Sequence, residues 1–105
     1  MTPDELNAID EESRLVALCI GPDEPPWDRS EDASTTALDW LAKHATSPSL
    51  WHSSGEWVAR SFIQFLDEFG LPDQVLASFT SWSPWLALLK LVAAVQLHKR
   101  GELEL

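Results

Sequence analysis

The side chains of this chain that could carry covalent, acid–base or metal chemistry are three histidines, one cysteine, a scatter of serines and a few paired carboxylates. His44, His52 and His98 fall on separate segments, and no His-Glu-x-x-His or similar ligand pair exists. A metal would therefore need ligands gathered by tertiary contact alone, and no metal site or cofactor is expected. Cys19 lies between Leu18 and Ile20 with no basic residue beside it to favour the thiolate, so it reads as a small buried hydrophobe. A lone cysteine makes no intramolecular disulfide, which fits a reducing, cytoplasmic setting.

Serine is plentiful, but no Gly-x-Ser-x-Gly elbow is present, and the four glycines form no phosphate-cradling loop. Ser53 and Ser54 ahead of Gly55 read as a helix cap. Neighbouring acids such as Asp67 and Glu68 point about 100° apart on a helix and read as a solvated edge. No catalytic residue is assigned, and a non-enzymatic protein is expected. An enzyme or metal protein with an unrecognised site stays as a minor alternative.

Charge carries more information than chemistry here. The chain of 105 residues has a formal net charge of −10. Residues 1–32 hold ten of the 17 acids but only Arg14 and Arg29 of the seven bases. Residues 33–105 are close to neutral. These early carboxylates are expected to face outward and stay mostly unneutralised, attracting basic surfaces and repelling phosphate backbones and anionic lipid. Direct nucleic-acid binding, which needs a basic footprint, is not expected. Neither is a signal peptide or a membrane span: the most apolar run, Trp85 to Leu97, has thirteen residues and contains Lys90 and Gln96.

Tryptophan is in excess, six residues against no tyrosine. Each brings a large apolar surface and one N–H donor, suited to small cores and to binding hot spots. Trp40, Trp57 and Trp85 occupy apolar positions at helical spacing and read as core. Trp51 and Trp82 lie near segment junctions and read as corner packing. Trp27 follows Pro25 and Pro26 and is flanked by Asp23, Glu24, Asp28, Glu31 and Asp32. These six residues are the candidate partner site: the ring would fill a pocket while the carboxylates pair with lysine or arginine around it.

The elements that must position these residues read as helices throughout. The expected fold is all-α, a compact single-domain bundle of four or five short helices with a proline-containing acidic linker after the first. Thr2, Pro3 and Glu5 have capping-box spacing, and Leu6, Ile9, Val16 and Ile20 continue the first helix until Gly21 and Pro22 end it. A second helix is expected from about Glu31 to Ala45, with Trp40 and His44 as an i, i+4 pair. A third starts with Ser53 as N-cap and Glu56, carries Trp57, Val58, Ser61, Phe62, Phe65, Leu66 and Phe69, and stops at Gly70. A fourth begins at Pro72 with Val75, Leu76 and Phe79. A fifth is capped by Ser83, has Pro84 at its first position, and ends before Gly101.

The fifth helix is apolar almost all round, so it is either central in the bundle or shared with another chain. Two functional readings follow. The first is an interaction protein that docks its acidic, Trp27-containing third on a basic protein, for example as an inhibitor of nucleic-acid-handling machinery. The second is a homo- or hetero-oligomeric assembly subunit joined through Trp82, Trp85, Leu88, Leu89 and Val92.

Overall fold

The computed structural model describes residues 1–19 and 33–104. Its elements are α1 (Pro3–Asn7), α2 (Glu12–Leu18), α3 (Ala33–His44), β1 (Thr46–Ser53), β2 (Glu56–Leu66), β3 (Pro72–Ser81) and α4 (Pro84–Lys99). The three strands form an antiparallel sheet in the order β1-β2-β3. The chain is therefore a mixed α/β fold, and the expected all-α bundle is overturned by this sheet.

The expected third and fourth helices are β2 and β3. Residues 56–66 are rich in Trp, Val, Phe and Ile, which pack well on a pleated surface. Once extended, β2 turns Trp57, Ala59, Ser61 and Ile63 to one face and Val58, Arg60, Phe62 and Gln64 to the other. Ser54 and Gly55 are not a helix cap but the two centre residues of a hairpin turn. Both have positive φ, 53° and 82°, and Ser53 pairs with Glu56 across them. Two successive positive φ angles match the right-handed strand twist, and glycine supplies the second at no steric cost. A bulge between Thr46 and Ser49 irregularises β1, where Ser47 also has positive φ, 54°.

The helical expectations fare better at the two ends of the chain. Thr2 caps α1 through a reciprocal pair: Glu5 N–H donates to Thr2 Oγ1 at 3.2 Å, and Thr2 N–H to Glu5 Oε1 at 3.3 Å. The first helix is nevertheless two helices, because α1 stops at Asn7 and α2 starts at Glu12. The end of α1 is spent on tertiary bonds: Asn7 accepts from Thr80 N–H at 2.9 Å through Oδ1 and from Lys90 Nζ at 2.7 Å through its carbonyl. On α4, Pro84 takes the first turn as expected, and Gly101 (φ 72°) ends it. Gly101 N–H donates to His98 O and Glu102 N–H to Leu97 O, the paired closure that satisfies the last carbonyls.

Helix α4 is the centre of the fold. Leu86 through Leu97 are all buried, and the helix packs on α1, α2, α3, β2 and β3. A helix enclosed on every side needs no polar face, which is why its apolar residues run round the whole circumference. Ala59, Ile63, Ala77 and Phe79 form the sheet's contribution to the core, and Leu6, Leu15, Ala37, Trp40 and Leu41 form that of the smaller helices. Among the described residues the helices cover one face of the sheet, while the opposite face carries the exposed Arg60, Gln64, Leu76 and Ser78.

Candidate functional site

Among the described residues, three of the five large apolar side chains that are well exposed sit at the β2–β3 turn, residues 67–71, and the end of β2 beside it. Leu66, Phe69 and Leu71 are 69%, 78% and 60% exposed. Three large apolar side chains at one tip are a departure from ordinary surfaces, where such residues are scattered singly.

The backbone beneath them is tied down by one residue. Asp67 Oδ1 accepts from Phe69 N–H and from Leu71 N–H, both at 2.9 Å. Asp67 N–H donates to Leu71 O, and Gly70 N–H to Asp67 O, also at 2.9 Å. Gly70 has φ 75°, a conformation its lack of a Cβ makes easy. Four bonds on Asp67 thus fix the direction in which Phe69 projects. The surroundings are acidic: Asp67, Glu68 and Asp73 are the charged residues between Arg60 and Lys90.

The open sheet face continues the apolar surface away from the tip. Leu76 is 45% exposed there, beside Phe62 across the β2–β3 pair. Arg60 is exposed and lies over the Trp51 ring, 4.8 Å from its centroid, so the guanidinium is stacked on a neighbouring side chain. Trp51 is therefore a strand residue on this face and not a helix-junction packer. Trp82, between β3 and α4, is 74% exposed.

Asp23, Glu24, Trp27, Asp28, Glu31 and Asp32 lie outside the described residues. Leu88, Leu89 and Val92 are fully buried in the chain's own core. Of the five positions considered for an oligomer interface, Trp82 and Trp85 alone keep exposed or half-buried surface. Trp40 is buried as expected, and its ring stacks on His44 with centroids 4.3 Å apart.

One early carboxylate does not stay unneutralised. Lys90, 1% exposed, donates to Asp10 Oδ1 at 2.9 Å as well as to the carbonyls of Asn7 and Thr80, each at 2.7 Å. The reason is local. An ammonium in the middle of an enclosed helix needs several acceptors, and the α1–α2 junction supplies two of them.

Cys19 is a buried thiol whose Sγ donates to Leu89 O at 3.4 Å. Among the described residues no three His, Cys, Asp or Glu side chains gather as a metal would need, and no helix is long and apolar enough to cross a membrane.

Leu66 and Phe69 were not legible as surface residues because helical spacing placed them on the core face of the expected third helix, and Leu71 fell in the gap between two expected helices. An aspartate followed three residues later by glycine, between two β-favouring runs, was the signal for a turn. No protein-family model, no curated protein and no solved structure matches this chain.

Proposed function

We propose that this protein is a non-enzymatic interaction protein of the cytoplasm that docks an acidic, aromatic surface on a basic partner protein. The observation that carries the reading is the Asp67-braced tip, with Leu66, Phe69 and Leu71 exposed amid Asp67, Glu68 and Asp73. Such a tip fits an apolar pocket rimmed by lysine or arginine. Its fixed backbone lowers the ordering cost of binding, and its carboxylates set partner choice and encounter rate. The acidic balance of residues 1–32 adds a field of the same sign. Blocking a phosphate-binding site on nucleic-acid-handling machinery is the form of docking that this charge favours.

Site-specific photo-crosslinking in cells of the source organism tests the proposal. A photoreactive phenylalanine analogue at position 69 is expected to trap one protein with a basic surface, in a yield that falls as salt is raised. The same analogue at exposed Arg14, on α2, is expected not to trap it. No crosslink from position 69, equal crosslinking from both positions, or a yield indifferent to salt would each overturn the reading.

A further inference from the structure

We propose that the cavity where the C-terminal ends of α3 and α4 meet β2 is a binding site for a small phosphate-bearing ligand. The cavity is about 270 Å³, and its polar walls include Lys43 and His44 from α3, Gln64 from β2, and His98 and Lys99 from α4. Its size is just below the usual range for small-molecule pockets, which suits a compact ligand rather than a drug-sized one.

The arrangement runs against the character of the protein. In a chain of net charge −10 with seven Lys and Arg, two lysines and two histidines converge on one concavity, and no carboxylate lines it among the described residues. Basic residues at helix C-termini also complement the helix dipole, and that alone would explain their presence on each helix. It does not explain why both basic helix ends border one cavity.

Magnitudes decide the sign of the site. Each helix terminus contributes roughly −0.5 of an elementary charge, so two termini together offset only about half of two ammonium groups. The terminal carbonyls of α4 are moreover satisfied by Gly101 and Glu102 N–H groups.

The donors are also held in place. Lys99 Nζ lies 2.9 Å from His44 Nδ1, and the His44 ring is stacked on Trp40. An ammonium can only donate, so Nδ1 accepts and the ring proton resides on Nε2, leaving His44 a further N–H donor. Ammonium and imidazole groups are single-point donors. Several of them arranged around a concavity suit a tetrahedral oxyanion, whereas a planar carboxylate is best gripped by the fork of an arginine.

The test is an NMR titration of the whole chain with inorganic phosphate at constant ionic strength, with sodium chloride and acetate as comparison arms. The expected result is saturable shifts at millimolar phosphate, confined to the neighbourhood of His44, Gln64 and His98. Lys43→Gln and Lys99→Gln are each expected to weaken binding about tenfold, the scale of one charge-assisted hydrogen bond. Lys43→Gln leaves the His44–Lys99 contact intact, so it reports on binding even where Lys99→Gln disturbs packing. Arg60→Gln, on the open sheet face, is expected to leave the affinity unchanged. Absence of saturation, equal shifts from chloride, acetate binding tighter than phosphate, or shifts indifferent to both lysine substitutions would overturn the assignment.

Discussion

Lys90 and Asp10, eighty positions apart in sequence, are joined by a 2.9 Å ion pair whose two ends live in different worlds. The ammonium is 1% exposed, the carboxylate 57%. The lysine is thus a buried node holding α1 and β3 to α4, and the aspartate is the solvent-facing lid on it. Removing either end should not have equal effects.

Lys90→Met keeps an unbranched side chain, one atom shorter, but deprives the Asn7 and Thr80 carbonyls of their donor. We expect a loss of about 2–4 kcal/mol in urea unfolding, from two stranded acceptors. Asp10→Asn should lose less than about 1 kcal/mol, since its carboxylate is largely in water. Equal losses from the two substitutions would contradict this division.

Gln96 is fully buried on α4, and its amide nitrogen and oxygen have no hydrogen-bond partner among the described residues. Unpaired amide atoms in an apolar core are unfavourable by about 1–3 kcal/mol. Gln96→Leu is therefore expected to raise the thermal midpoint by several degrees, on the order of 1 kcal/mol. A fall in midpoint would show that the amide is satisfied.

Leu89 separates core from interface. It is fully buried within the chain. Leu89→Ala should destabilise the protein by about 2–5 kcal/mol, as large-to-small core substitutions do, at any protein concentration. A loss that appeared only on dilution, tracked by light scattering, would instead make α4 an intermolecular helix.

Phe69 and Asp67 act on different quantities. Phe69→Ser should leave the unfolding midpoint within about 0.5 kcal/mol of the parent, because the ring is 78% exposed, and should reduce binding of an apolar dye. Asp67→Ala removes the acceptor of two backbone N–H groups and should destabilise the hairpin by about 1–2 kcal/mol. Hydrogen exchange at Phe69 and Leu71 reads the second effect directly.

The sequence made the helix ends legible and the middle opaque. Thr2, Pro3 and Glu5, and later Pro84 and Gly101, act through contacts a few residues apart, so their spacing reveals them. The Trp40–His44 stack is of the same kind. Strand β2 was hidden because both of its faces carry apolar residues. Val58, Phe62 and Leu66 lie on the open side while Trp57, Ile63 and Phe65 lie on the other, which blurs the alternation and leaves a pattern that also satisfies a helix. The candidate site was lost with it, since Phe69 reads as core on a helix and as a tip on a hairpin. Lys90 gave a weaker hint. A lysine inside an apolar run looks like a solvent strip until its acceptors, distant in sequence, are known.

Asn7 has a consequence for how the molecule is made. Its amide stands in for a neighbouring peptide group at Thr80, on the outer rim of β3, and backbone groups of Ser78 and Leu76 share that orientation by strand alternation. The contact bridges 73 residues, so it closes after the short-range β2–β3 ribbon has formed. Before that contact closes, the Thr80 N–H on this edge strand lacks its partner, and an unpaired strand edge can recruit a like strand from another molecule. Refolding yield is then set by protein concentration during that interval, and damage to Asn7 should show first as fibrous or swapped material rather than as a lower melting point.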